Sequence, residues 1–317
     1  MQIKILFIDS IHNVLIKKLV TANFICDYKP TILLQEIENI IANYDGIILR
    51  NKIIIDKNII DRAVKLKFIG RVGSGLENID VAYASEKKIK CFNSPEGNCN
   101  AVGEHAIGML LSLFHNINIS NYELRSGIWN REKNRGIELN NITIGIIGYG
   151  NTGSAFAKKL KGFNVKILAY DKYKSNYTSE NVIETNMEDI FNNSDILSLH
   201  IPLTNENEYL VNDEFINKFK NNIYIINTSR GKVIDTSDLI KNLKTNKVKG
   251  ACLDVMEYES HTFENLFNNK NSEDFNYLCK ANNVILTPHI AGLTKESKYK
   301  TAAVLAEKII ENYNSIL

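Results

Sequence analysis

Residues 142–171 read ITIGIIGYGNTGSAFAKKLKGFNVKILAYD, and the fold turns on this stretch. Ile142, Ile144, Ile146 and Ile147 form an uncharged apolar run, the pattern of a strand buried on both faces of a parallel sheet. The run enters Gly148-Tyr149-Gly150-Asn151-Thr152-Gly153, after which Ala155, Phe156, Ala157 and Leu160 recur at helical spacing. A second β-rich run, 165–170, ends on Asp171. Strand, glycine turn, helix, strand and acid follow in the order of a dinucleotide-binding unit. Gly148 permits the tight turn, Gly150 lets the backbone approach a pyrophosphate, and Gly153 lets the helix pack close to the strand. The helix start at Asn151 and Thr152 offers N–H groups and a positive dipole end to phosphates. Asp171, 18 residues beyond Gly153, is placed to accept from both ribose hydroxyls and would repel a 2′-phosphate, which predicts NAD rather than NADP.

Outward from that unit, 317 residues are more than one typical core and predict two domains. A hydrophobic fraction of 44% and a charged fraction of 23% are those of a globular chain. The formal net charge of +2 gives no strong field, so neither nucleic acid nor an acidic membrane surface is expected as a partner. Five cysteines (Cys26, Cys91, Cys99, Cys252 and Cys279) lie scattered with no CxxC pair, which suggests neither a disulfide framework nor a metal site and fits a reducing cytoplasm. A strand follows the N-terminus directly, so no signal peptide is expected, and no apolar run reaches membrane length.

Along residues 1–95, strands are expected at 3–8, 24–27, 47–50, 68–72 and near 91–92, alternating with helices at 11–20, 32–41, 56–64 and from Asn78. Residues 95–100 read as a hinge, and 101–117 as a long helix apolar on nearly all sides, hence buried at a junction or interface. Further strands are expected at 196–201, 223–227, 248–254 and 284–288, with helices at 213–219, 237–243 and 295–313. The expected fold is α/β, two Rossmann-like doubly wound domains with parallel sheets and a cleft between them. Residues 1–95 and 289–317 would form a flavodoxin-like substrate domain and 96–288 the dinucleotide domain. The polar insertion 260–283 carries no clear pattern.

Three stretches carry candidate chemistry. Arg230 follows one strand in INTSRGKVID, three acids (Asp254, Glu257, Glu259) follow the next in ACLDVMEYE, and His289 follows the last in LTPHIAG. Taken singly, an arginine after a strand is commonly a surface ion pair, and a histidine a satisfied core group. Together all three leave strands at the carboxyl edge, where doubly wound sheets bind ligands.

With these residues the chain resembles the D-isomer-specific 2-hydroxyacid dehydrogenase family, through GRVGSGLENID, SPEGNCNAVGEHAIGMLL, GIIGYGNTG, NTSRGKVID with ACLDV, and TPHIAG in that order. Within the family it is most similar to the branch that oxidises D-3-phosphoglycerate to 3-phosphohydroxypyruvate for serine synthesis. The resemblance implies an NAD-dependent oxidoreductase in which Arg230 holds the substrate carboxylate and His289 is the acid/base. Glu259 would bond the other imidazole nitrogen and stabilise the imidazolium. It further implies cofactor contacts at Gly148, Gly150, Asn151, Thr152, Gly153, Asp171, His200, Pro202, Thr228, Asp254 and Gly292, with a structural role for His200 standing equally beside the cofactor one. Substrate contacts are implied at Arg50, Arg71, Ser74, Gly75 and Asn98, and at Arg131, in a segment that reaches a neighbouring subunit's site, so a homodimer through the cofactor domain is expected. His12, His105, His115 and His261 read as structural.

The chain departs from the family pattern in three places. Ser260 stands where a proline usually follows the glutamate, an insertion follows it, and Asn151-Thr152 replaces the usual arginine-aliphatic pair. No C-terminal regulatory domain, and hence no serine feedback through one, is expected. The alternatives are another substrate (glycerate, glyoxylate, hydroxypyruvate or D-lactate) and a non-catalytic NAD-sensing protein on the same scaffold. Formate oxidation is disfavoured because that branch pairs its histidine with glutamine.

Overall fold

The computed structural model describes residues 2–259 and 273–313, which divide into two compact units at about residue 99 and again at about 292. His261 and most of the 260–283 insertion lie outside the described residues, although its end forms the helix Glu273–Lys280.

The first unit holds a five-stranded parallel sheet of β1 (Lys4–Phe7), β2 (Ile25–Tyr28), β3 (Gly46–Leu49), β4 (Phe68–Arg71) and β5 (Lys90–Phe92), in the order β2-β1-β3-β4-β5. That is the flavodoxin-like order, with helices on both faces. Alternate residues serve opposite cores: Leu6, Ile47, Leu49 and Ile69 face one, and Ile5, Phe7, Ile48 and Phe68 the other. The C-terminal helix Lys295–Tyr313 packs Ala302, Leu305, Ala306 and Ile309 onto the second of these faces. The helix expected from Asn78 begins at Val81, because Asp80 caps it by accepting from the Tyr83 N–H.

The second unit holds a seven-stranded parallel sheet. Its strands are β6 (Thr143–Ile147), β7 (Lys166–Tyr170), β8 (Ile183–Glu184), β9 (Ile196–Leu199), β10 (Ile223–Asn227), β11 (Val248–Leu253) and β12 (Val284–Leu286), ordered β12-β11-β10-β9-β6-β7-β8. The order reverses at β6, the topological switch point of a Rossmann sheet, and the glycine loop leaves that strand. One face buries Leu197, Leu199, Ile225 and Leu253. The other buries Ile144, Ile146, Ile196 and Ile226 against Ala106, Met109, Leu110 and Leu113 of the helix Cys99–Phe114.

The apolar helix expected to run to 117 stops at Phe114. Asn116 takes a left-handed conformation (φ 52°), and a second helix, Ile117–Arg125, starts after it. Two elements carried no readable signal: β8 is two residues long, and the helix Met187–Asn193 is polar apart from Met187, Ile190 and Phe191 and is started by its Asn186 cap. The helix Thr236–Lys244 is followed by Asn246 at φ 60°, a left-handed residue of the kind that ends helices.

Candidate active site

Register brings the carboxyl ends of six strands into one row. Tyr170 pairs with Ile147, Ile147 with Leu199, Leu199 with Asn227, Asn227 with Leu253, and Leu253 with Leu286. The residues that follow them (Asp171, Gly148, His200, Thr228, Asp254 and Thr287) therefore leave the sheet along one edge, about 5 Å apart from strand to strand.

At that edge Gly148 has φ 91°, and a Cβ there would strike the His200 carbonyl oxygen. A Cβ on Gly153 would overlap the Gly148 carbonyl, whereas one on Gly150 would meet nothing within 4 Å. The first two glycines are thus demanded by the protein itself, and Gly150 faces open space. No side chain caps the helix Asn151–Lys159. The Thr228 hydroxyl is buried with no partner among the described residues. An uncapped helix start, an open backbone approach and an orphaned hydroxyl on one edge fit the phosphates and nicotinamide half of NAD.

Asp171 accepts from Tyr149 N at 2.7 Å, Tyr173 N at 2.9 Å and Lys174 N at 3.0 Å, so its carboxylate also closes the glycine loop onto β7. Asn151 is exposed, and the Thr152 hydroxyl lies 3.3 Å from His200 Nδ1. His200 Nε2 bonds the Ser198 hydroxyl at 2.9 Å, and burial pushes the imidazole pKa down to about 3, so this ring is neutral at physiological pH. Pro202 is exposed beyond it, its carbonyl accepting from Asn207.

His289 Nδ1 lies 2.6 Å from Glu259 Oε2, and Glu259 Oε1 accepts from Met256 N at 2.5 Å. A carboxylate at Nδ1 sets the tautomer with that nitrogen protonated and the Nε2 lone pair directed away from it. His289 sits at φ 53°, a left-handed position costing roughly 1 kcal/mol or more for a residue other than glycine. Its backbone is held there: His289 N donates to Asp254 O at 2.7 Å, and Ile290 N and Ala291 N donate to the Asp254 carboxylate at 2.9 and 2.8 Å. Burial alone raises the Asp254 carboxyl pKa, but bonds from His105, Thr287, Ala291 and Ile290 outweigh it and hold the group below the usual carboxylate range. Gly292 follows this turn as the last residue of the second unit.

Arg230 emerges from a turn shaped by Asn227, whose Oδ1 accepts from Ser229 N and Oγ and whose Nδ2 donates to the Arg230 carbonyl at 2.9 Å. A Cβ on Gly231 would overlap the Met256 backbone, so this turn lies directly on the segment leading to Glu259. The three acids after β11 part company. Asp254 braces the His289 loop and Glu259 meets its ring, while Glu257 accepts from Tyr209 Oη at 3.0 Å and from Thr236 N at 3.2 Å. Asn227, Gly231 and Thr287 were not singled out from sequence; an asparagine closing an apolar strand was the one available signal.

In the first unit, the Arg71 side chain is buried and braces its loop, donating to Arg50 O at 3.1 Å, Gly75 O at 2.8 Å and Asn51 Oδ1 at 2.8 Å. Ser74 Oγ bonds Asn98 Oδ1 at 2.6 Å, and neither the Ser74 nor the Gly75 N–H has a hydrogen-bond acceptor among the described residues. The backbone of Arg50 is fastened through its N–H to Asp9 at 2.6 Å. Among the described residues, neither the Arg50 nor the Arg131 guanidinium makes an ion pair. Also among these residues, no group of His, Cys, Asp and Glu could hold a metal, and no helix is long and apolar enough to cross a membrane.

Residues 107–291 match the family described as D-isomer specific 2-hydroxyacid dehydrogenase, NAD binding domain. The chain is 36% identical over 277 residues to a hydroxypyruvate reductase of Thermotoga maritima, covering 87% of each chain. It is 36% identical over 308 residues to a D-3-phosphoglycerate dehydrogenase of Synechocystis, covering 96% of this chain and 53% of that one. It spans between 51% and 57% of the length of that protein and of three other phosphoglycerate dehydrogenases to which it is similar. The crystal structure of a D-lactate dehydrogenase from Aquifex aeolicus, complexed with NAD and lactic acid, superposes with a TM-score of 0.84 at 25% identity, covering 98% of this chain and 96% of that one.

Proposed function

Since the chain belongs to the D-isomer-specific 2-hydroxyacid dehydrogenase family, NAD-dependent oxidoreductases acting on CH–OH donors, we propose that it oxidises D-3-phosphoglycerate to 3-phosphohydroxypyruvate, a cytoplasmic step toward serine. The observation that carries the chemistry is the 2.6 Å contact of His289 Nδ1 with Glu259, on the edge that also bears the glycine loop. With Nδ1 committed, Nε2 of His289 takes the C2 hydroxyl proton, and Glu259 stabilises the imidazolium so formed. Arg230 holds the substrate carboxylate through its planar fork. NAD, when bound, would supply the acceptor for the hydride at C2, and His289 takes the hydroxyl proton as the alcohol becomes a ketone.

The Ser74 and Gly75 amides, with Asn98, are proposed as further carboxylate contacts. Arg50 is proposed for the phosphate, with Arg131 supplied by a second copy of the chain. A dimer is supported by the helix Ile117–Arg125 and the segment after it, which expose Ile117, Tyr122, Leu124, Ile128 and Trp129 together. Reduction of an unphosphorylated 2-oxo acid (hydroxypyruvate, glyoxylate or pyruvate) is the second reading. It is favoured by the engagement of Arg71 and by the match to most of the length of the hydroxypyruvate reductase.

A panel of D-2-hydroxy and 2-oxo acids with both cofactors tests these readings. The expected result is kcat/KM roughly tenfold or more higher for the phosphorylated pair than for any other acid, with NAD preferred. A higher value for hydroxypyruvate or glyoxylate would replace the first reading with the second. No turnover of any acid, with NADH still bound, would favour an NAD-sensing protein.

A further inference from the structure

A second histidine stands beneath the loop that carries His289. His105, on the helix Cys99–Phe114, places Nε2 3.0 Å from Thr287 Oγ1 and 3.5 Å from Asp254 Oδ1. The Thr287 hydroxyl donates to Asp254 Oδ1 at 2.6 Å. A hydroxyl has one proton to give, so the Thr287 oxygen meets His105 with a lone pair, and Nε2 of His105 carries the hydrogen. The chain of donation therefore runs from His105 to Thr287 to Asp254. Asp254 ends it as an ionised group, buried to 1% exposure and held by four donors, the Thr287 hydroxyl, the amides of Ile290 and Ala291 and, at its carbonyl, the amide of His289, with His105 Nε2 close by at 3.5 Å.

Every residue from Thr287 to Ala291 except Pro288 and the His289 side chain is thus tied to one carboxylate-bearing residue, and that residue is tied to the helix through His105. His289 needs this, because its left-handed backbone at φ 53° is not a conformation that histidine keeps unaided. A loop free to relax would swing the ring out of line with Glu259.

We propose that His105 is a positioning residue for hydride transfer: its Nε2–H, relayed by Thr287, holds Asp254 against the 289–291 backbone and keeps the His289 imidazole in its reacting orientation. The inference rests on His289 as the acid/base. His105 touches neither the reacting atoms nor, by its place under the loop, the substrate. Its loss therefore falls on the chemical step and not on the affinity for NADH.

The test compares His105→Leu, His105→Gln, Thr287→Val, Thr287→Ser and His289→Asn with the unaltered chain. Readouts are kcat and KM for the best acid, the isotope effect of C2-deuterated substrate on kcat, and the Kd of NADH by fluorescence. Glutamine can present an N–H where Nε2 stood, and serine keeps the relaying hydroxyl. Expected are losses in kcat of roughly tenfold for His105→Leu and Thr287→Val, with the isotope effect fully expressed and the Kd of NADH changed less than about twofold. His105→Gln and Thr287→Ser should recover most of the rate. Unchanged kcat in His105→Leu, a glutamine variant no better than leucine, or a loss carried by NADH affinity would overturn the proposal. If the leucine variant does not fold, the glutamine variant and the threonine pair decide in the same way. An active chain killed by His289→Asn but indifferent to His105 and Thr287 would refute this inference alone. Near-normal turnover by His289→Asn would instead remove the acid/base reading and this one with it.

Discussion

At the scale of single residues, the site divides into side chains proposed to act on a ligand and side chains already spent on the protein. His289 belongs to the first kind: Glu259 engages its Nδ1, so Nε2 is the nitrogen proposed to take the substrate proton. Changing His289 to Asn is expected to lower kcat by about 10²–10⁴ and to leave the Kd of NADH unchanged, read by steady-state rates and fluorescence titration. His200 belongs to the second kind. Its folded pKa is about 3 against an ordinary 6.5, with burial as the cause. Between those values the unfolded chain binds a proton that the folded ring refuses, so stability falls as pH drops below about 6.5. From pH 7 to pH 5 this group alone should cost about 2 kcal/mol, and His200→Gln should flatten that part of the curve in urea unfolding. Equal slopes for the two proteins would mean that the ring takes up a proton without penalty.

At the scale of elements, the glycine loop and the end of β7 form one device. Asp171 joins them through three backbone amides, so its carboxylate both shapes the loop and presents charge at its edge. Replacing Asp171 by Ala should therefore do two things: erode the kcat/KM preference for NAD over NADP, and lower the thermal midpoint. An unchanged cofactor ratio beside a lowered midpoint would leave Asp171 as a loop brace only. Most of this device is legible from sequence, since turn, helix start and acid are local features. The bracing by Arg71 is not legible in this way: its donors go to the Arg50 and Gly75 carbonyls and to Asn51, and those contacts exist only once the loop has folded back over it.

At the scale of the whole molecule, the helix Ile117–Arg125 and the segment after it expose Ile117, Tyr122, Leu124, Ile128 and Trp129 close together in sequence, with Trp129 at 76% exposure. Glu123 shapes that segment by accepting from Asn130 at 3.1 Å and Asn134 at 2.6 Å, which holds the neighbouring Arg131 in an ordered turn. On the dimer proposed above, a Trp129→Ser substitution is expected to shift the chain toward monomer in light-scattering chromatography. Arg131→Ala should leave the dimer intact and raise KM roughly tenfold or more for phosphoglycerate, with little change for an unphosphorylated analogue. Equal effects on both substrates would remove Arg131 as a phosphate ligand, and a monomeric unaltered chain would remove its route into a second site.

The sequence by itself determined the parallel sheets, the dinucleotide loop and the set of residues at the strand ends. Those depend on apolar runs, turn residues and spacing among near neighbours, which a linear reading contains. Only the tertiary structure decided which polar groups remain for a ligand. His105 and Thr287 are separated by 182 positions, and Asp254 and Ala291 by 37, so their hydrogen bonds exist only once the sheet has brought its edges together. A buried donor takes whatever acceptor the fold sets beside it, and that choice turned Arg71 into a brace, sorted the three acids after β11, and placed a second histidine under the first.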